Sequence, residues 1–209
     1  MSETAFEEEM VRLEHETLGS VGGENPGFEA FGQLYRSERE AVMSFLDKLH
    51  AIQMDAAVGF AKWATACRTP GLRTGLIMIA ERDAYHARVL ERRARELGGE
   101  LDSTTSEQGS KIVELLASRE ISDLEKLLAL TSLIHDPNQA VAPILTFAAL
   151  LKVDNESKQA LRLLAEDELS TTTWLHDICT ALSATQTAEP AAERSMSTPV
   201  EALSSALKA

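Results

Sequence analysis

The chain has 209 residues, 44% hydrophobic and 25% charged, which suits one globular domain with a substantial core. Its formal net charge of −13 argues against a nucleic-acid-binding surface, which needs a basic stripe, and favours solubility and mild attraction for cations. Two cysteines cannot form a disulfide framework, and no run approaches the roughly 18 apolar residues that span a bilayer. The first residues do not resemble a secretory signal either, so we expect a cytoplasmic protein without a membrane span.

Helical spacing of apolar residues and helix-ending signals divide the first half of the chain. Residues 2–18 predict an amphipathic acidic helix, which the glycine-rich segment 19–27 ends. A long helical pattern follows over 28–67. Thr69-Pro70 then predicts a second helix, which runs to Leu97 and stops at two glycines.

The second half repeats these signals after a polar loop at 100–110. Further helices are predicted at 111–119, 123–135, 137–152 and 155–184. No segment shows the alternation of a β-strand, so we expect an all-α protein. Residues 185–209 are rich in Ala, Thr, Ser, Glu and Pro, which predicts a disordered tail with a short amphipathic helix at its end.

An internal repeat relates the two halves with an offset of 85 residues. Thr69 and Asp154 both cap helices (154 − 69 = 85), and apolar positions match between them and the ends of those helices. Asp83 corresponds to Glu168 (168 − 83 = 85) and His86 to Thr171 (171 − 86 = 85). Two helix pairs related in this way predict a four-helix bundle.

Asp83 and His86 are the strongest candidates for a chemical site. They are three residues apart, so on a helix they share one face and project into the same space. A carboxylate and an imidazole so placed are ligand types that carboxylate-rich metal sites take from a single helix.

The runs IQMDAA at 52–57, IAERDAYHAR at 79–88 and LAEDE at 164–168 resemble the ferritin-like and rubrerythrin-like di-iron carboxylate proteins. The resemblance covers about 28–184. It implies a ferritin-like four-helix bundle, to which the helical spacing and composition of the chain add an N-terminal helix and loop at 1–27 and a flexible tail at 185–209.

In that family, two irons are held by a Glu from the first and third helices and by E-x-x-H from the second and fourth. Carried over, the resemblance assigns Asp83 and His86 to the second helix and Glu168 to the fourth, with Thr171 in the histidine position. One register places Gln53 and Asn138 at the first-helix and third-helix positions. The other register places His50 and His135 there, each 33 residues before its partner (83 − 50 and 168 − 135).

This ligand set is degraded relative to the family. Gln53 and Asn138 would each replace an anionic bridging ligand with a neutral amide, and Thr171 removes a nitrogen donor. We therefore expect no di-iron centre. For Asp83 and His86 the sequence favours a buried polar pair without a cofactor; one weakly held iron or manganese ion is the next alternative, and two ions the last.

These observations favour a ferritin-like bundle that has lost di-iron catalysis and acts as a binding or accessory protein. The alternative is a metal-dependent oxidoreductase or iron-binding protein of rubrerythrin type that uses Asp83, His86 and Glu168. We further expect a protein partner, reached through 185–209, and a homodimer formed through exposed helix faces. No nucleic-acid or membrane partner is expected.

Overall fold

The computed structural model of the chain describes residues 27–102 and 106–188, which form six helices and one two-stranded hairpin. The strands are β1 (Phe28–Ala30) and β2 (Gln33–Tyr35). The helices are α1 (Glu38–Ala66), α2 (Pro70–Glu96), α3 (Glu107–Ala117), α4 (Asp123–Leu133), α5 (Pro137–Leu150) and α6 (Asn155–Ala188). The mainly helical fold is confirmed. The helix predicted at 2–18, and the tail beyond 188, lie outside the described residues.

The hairpin corrects the prediction that the first long helix begins at Phe28 and that the chain has no strand. β1 and β2 pair antiparallel, with Phe28 opposite Tyr35. The turn between them places Phe31 and Gly32 at φ 52° and 73°, a region that glycine enters without strain. The short apolar run fits either a helix or a hairpin on spacing alone, and tertiary packing decides between them.

Aromatic packing holds the hairpin against the helices. The Phe31 ring stacks on Phe45 of α1 and Phe147 of α5, with ring centroids about 6.1 Å apart in each case. The α1 helix begins only after the hairpin, at Glu38, and Ser37 caps it by accepting a hydrogen bond from Glu40 N at 3.2 Å.

The other predicted helix boundaries agree with the structure to within a few residues, with two exceptions. The α3 helix begins at Glu107, inside the predicted polar loop, because Ser106 caps it by accepting a hydrogen bond from Gly109 N. The α6 helix continues to Ala188, so its last four residues occupy the start of the predicted disordered tail.

Two hydrophobic cores follow one another along the helices. The first joins α1, α2, α5 and α6, and includes Leu46, Leu90, Phe147 and Leu161. The second joins α1, α2, α3, α4 and α6, and includes Trp63, Leu76, Leu127 and Leu175. Where α1, α2 and α6 pass from one core to the other, each carries buried or half-buried polar side chains, and the candidate site lies there.

The two segments that the predicted repeat relates are not equally continuous. Helix α1 is continuous over 29 residues, whereas its counterpart is divided into α4 and α5 at Asp136-Pro137. Among the residues described, none of the helices combines the length and the apolar character needed to cross a membrane.

Candidate metal centre

Three of the predicted residues meet at mid-length of α2 and α6. Asp83 and His86 lie one turn apart on α2, and Glu168 faces them from α6. One ligand atom from each lies within 4.8 Å of the other two. Asp83 is 2% exposed and His86 is 5% exposed, whereas Glu168 is half-buried, so the cluster is largely screened from solvent.

Gln53 of α1 completes the cluster, as the register through Gln53 predicts. Its Nε2 donates a hydrogen bond to Glu168 Oε1 at 3.0 Å, and its Oε1 lies 3.2 Å from His86 Nδ1. The carboxylate can only accept, so it fixes the orientation of the amide and directs Oε1 toward the imidazole. Gln53 therefore links Glu168 to His86.

Both ring nitrogens of His86 face acceptors. Nδ1 faces Gln53 Oε1, and Nε2 lies 3.0 Å from Asp167 Oδ2. Burial disfavours the imidazolium, but the interactions with Glu168 and Asp167 outweigh burial and raise the pKa of His86. The raised pKa favours the imidazolium, which can donate from both ring nitrogens.

The surroundings of Asp83 are unfavourable for a charged carboxylate. Its Oδ1 is buried and has no hydrogen-bond partner among the described residues. Burial, together with the negative charge of Glu168, raises the pKa of Asp83 to about 7. A buried acceptor without a donor costs free energy, which a cation or a proton at this place would recover.

The other predicted ligand positions lie outside the cluster. His50 is half-buried one turn before Gln53 and lines a different groove, with Met54 and Ala84. His135 is exposed between α4 and α5. The register through these two histidines therefore brings neither of them to Asp83.

The prediction for the third-helix position is also wrong. Asn138 is exposed at the start of α5, where its Nδ2 donates to Asp136 Oδ1 at 3.2 Å. The break in the helix turns this position away from the interior. Thr171 donates its hydroxyl to the Asp167 carbonyl of its own helix at 3.2 Å, so it does not take the place of a ligand.

Two residues next to the site were missed by sequence reasoning. Asp167 contacts His86, and Arg82 Nη1 lies 3.9 Å from Asp167 Oδ1. Arg82 and Asp167 are themselves related by the repeat (167 − 82 = 85). Because repeat equivalents on α2 and α6 meet at Asp83 and Glu168, the flanking pair could have been found by the same offset.

Comparison of the chain with protein-family models, with curated proteins and with solved structures finds no match in any of the three.

The donor set fits one divalent metal ion better than two. Two carboxylates and one imidazole nitrogen offer the mixed oxygen and nitrogen ligands that iron(II) and manganese(II) accept. A second ion would need further anionic bridges, but the α1 position holds the neutral amide of Gln53 and the α5 position lies outside. Asp167 is engaged with His86 and about half exposed.

Proposed function

We propose that the protein is a ferritin-like helical bundle that binds a single divalent metal ion, iron(II) or manganese(II), through Asp83, His86 and Glu168. The observation that carries this proposal is the buried Oδ1 of Asp83, which meets no donor within the described segments although it lies beside a second carboxylate. A bound ion would supply the missing positive charge, and iron would add a one-electron redox couple.

The pairing of repeat equivalents supports the ferritin-like arrangement. Asp83 faces Glu168, and Arg82 faces Asp167, so two pairs related by the same offset approach each other across α2 and α6. A local two-fold relation between two helix pairs gives this result, and it is the relation on which ferritin-like bundles are built.

Asp167 supports the assignment of His86 as a ligand. A histidine that binds a metal through one nitrogen usually donates its other N–H to a carboxylate, which fixes the orientation of the ring. Here Asp167 Oδ2 holds Nε2 at 3.0 Å, while Nδ1 faces the cluster, 3.8 Å from Glu168 Oε1. Loss of the Nδ1 proton would make this nitrogen available to the ion.

The same residues favour a binding or accessory role over oxygen-activating di-iron catalysis. A di-iron centre needs carboxylates that bridge two ions, and Gln53 contributes an amide that is already committed to Glu168 and His86. The proposed protein partner and the homodimer remain predictions, and most of the tail that would reach the partner lies outside the described residues.

A matched pair of substitutions on α6 tests the proposal. Glu168→Gln removes a proposed ligand, whereas Glu166→Gln makes the same change two residues earlier at an exposed position. Metal-stripped protein is titrated with manganese(II) by calorimetry, and circular dichroism checks the fold of each variant. We expect one site in the wild type and in Glu166→Gln, and an affinity lower by at least about tenfold in Glu168→Gln, because losing a ligand costs no less than losing a residue that orients one. Equal affinities in the two variants would contradict the proposal.

A further inference from the structure

The amide of Gln53 lies inside the metal cluster. Gln53 is 2% exposed, so its side chain is as deeply buried as that of Asp83. Its Nε2 donates to Glu168 Oε1 at 3.0 Å, and its Oε1 lies 3.2 Å from His86 Nδ1. The amide oxygen is therefore held against the nitrogen that we propose as a ligand.

The contact between Gln53 and His86 depends on a proton that a bound ion would replace. Without an ion, the Nδ1–H group can donate to Oε1. A ring nitrogen that binds a metal has no proton to donate, so Nδ1 and Oε1 would then face each other as two acceptors. A buried acceptor that loses its donor costs free energy unless another positive group takes the donor's place. The ion that binds Nδ1 can be that group.

The amide cannot avoid this contact by turning over. A rotation of 180° would leave Nε2 without an acceptor at the metal-bound His86 and place Oε1 against the carboxylate of Glu168. The separation of 3.2 Å between Oε1 and Nδ1 also suits neighbouring ligands of one ion. Two ligands about 2.1 Å from an ion, at right angles to each other, lie about 3 Å apart.

The charge of the cluster matches one divalent ion. Asp83 and Glu168 contribute two negative charges, and the amide of Gln53 contributes none. Beside the cluster, Arg82 Nη1 and Asp167 Oδ1 lie 3.9 Å apart with opposite charges, so this pair changes the balance little. An ion of charge three would leave one positive charge uncompensated at a buried place, which is costly.

We propose that Gln53 Oε1 is a fourth ligand of the ion, and that this neutral ligand makes the site selective for divalent over trivalent metal. Iron bound here is accordingly held as iron(II). This inference rests on the proposed metal site, to which it adds a ligand and a preferred oxidation state.

The first test measures manganese(II) binding to metal-stripped protein by calorimetry at pH 8. Gln53→Met keeps a side chain of similar length without the amide, and its affinity should be lower by at least about tenfold. Gln53→Glu places a carboxylate oxygen where the amide oxygen was, and it should bind at least as tightly as the wild type. If Gln53 only oriented Glu168 through its N–H donor, both variants would lose that donor and both would bind more weakly.

The second test measures the iron(III)/iron(II) potential of protein loaded with one equivalent of iron(II). The titrant is ferricyanide, which takes one electron from each iron(II). The added negative charge in Gln53→Glu stabilises iron(III) more than iron(II), so the ratio of the two affinities should change at least tenfold. This change lowers the potential by at least about 59 mV.

Gln159→Glu is the matched control for both tests, since it adds the same charge at an exposed position on α6. It should leave the affinity and the potential at their wild-type values. Circular dichroism of each variant separates loss of the site from loss of the fold.

The outcomes distinguish this inference from the proposed function. A wild-type protein that binds no manganese(II) would contradict both. If the wild type binds one ion, any of three results would overturn the assignment of Gln53 alone: equal affinity in Gln53→Met, weaker binding in Gln53→Glu, or an unchanged potential in Gln53→Glu.

Discussion

Two aspartates in this protein occupy opposite electrostatic situations. Asp123, at the start of α4, accepts hydrogen bonds from Trp63 Nε1 at 2.8 Å, from Arg68 N at 3.0 Å and from Thr69 N at 2.9 Å. Asp83, on α2, is more deeply buried, and its Oδ1 receives no hydrogen bond from the described residues. Asp123 therefore accepts several hydrogen bonds, whereas Oδ1 of Asp83 accepts none from the described residues.

The pKa values of the two aspartates shift in opposite directions because only Asp123 has enough hydrogen-bond donors to offset its burial. Burial raises the pKa of Asp123, but the hydrogen bonds from Trp63 and Thr69 outweigh burial and lower it. At Asp83, burial and the charge of Glu168 act in the same direction and raise the pKa to about 7. The hydrogen bonds of Asp123 stabilise the fold, whereas the buried charge of Asp83 destabilises it, a cost that the proposed metal ion would offset.

We expect the largest effect from a substitution of Asp123. Asp123→Ala leaves the donors of Trp63 and Thr69 without an acceptor where the α1–α2 connection meets α4. We expect the free energy of unfolding to fall by about 3 kcal/mol in urea denaturation. Asp177→Ala, at an exposed position on α6, is the control and should stay within about 0.5 kcal/mol of wild type. A loss at Asp123 no larger than the control would show that its hydrogen bonds do not stabilise the fold.

Lys126, three residues after Asp123 on α4, is a second charged residue whose hydrogen bonds can be tested in the same way. It is 1% exposed, and its Nζ donates to the carbonyls of Leu116 and Ser118 at 2.8 and 2.5 Å. Lys126→Met keeps the apolar stem but leaves both carbonyls unpaired, so we expect a loss of about 2 kcal/mol. Lys152→Met, at an exposed position, serves as the reference. A gain in stability would mean that burying the ammonium costs more than its two hydrogen bonds return.

Asp83→Asn should raise the free energy of unfolding, whereas Asp123→Ala should lower it. The substitution keeps the shape and removes the charge that faces Glu168, so metal-stripped protein should become more stable by about 1 kcal/mol at pH 8. The same variant should lose affinity for manganese(II). If Asp83→Asn destabilises the metal-stripped protein, the carboxylate of Asp83 has a favourable structural role and the comparison fails.

The two aspartates should also respond oppositely to pH. The pKa of Asp83 is higher in the folded protein than its ordinary 3.8, so its destabilising contribution is absent below about pH 4 and complete above about pH 7. The pKa of Asp123 is lowered, so its stabilising contribution is present above its ordinary pKa of 3.8 and is lost as the pH falls through the folded-state value.

Urea denaturation from pH 3 to pH 8 measures both dependences. The gain of Asp83→Asn should grow as the pH rises, whereas the deficit of Asp123→Ala should shrink as the solution becomes acidic. Parallel curves for the two variants would show that their carboxylates occupy similar environments.

The sequence predicted the fold where local signals were strong. Capping residues followed by proline located α2 and α5 closely, because proline is well suited to the first turn of a helix. The hairpin was missed because residues 28–35 also fit a helical pattern. Its formation depends on Phe31 stacking against Phe45 and Phe147, which are distant in sequence.

The site was predictable in part for the same reasons. Helical spacing joins Asp83 to His86, and the repeat adds Glu168. The register that placed His50 and His135 at the site was wrong because His50 lies three residues before Gln53. This separation is about 4.5 Å along the helix axis. Asp167 and Arg82 were missed because their roles depend on how α2 and α6 approach each other, which spacing within one helix does not give.

The most direct test of the account is the number of metal ions that each chain holds. Metal-stripped protein is loaded with excess iron(II) without oxygen, freed of unbound ion, and analysed by elemental analysis and Mössbauer spectroscopy. One iron per chain, with the spectrum of an isolated high-spin iron(II) ion, is the predicted result, and Glu168→Gln should lose it. Two irons per chain with a coupled spectrum after exposure to oxygen, or no retained iron, would contradict the account.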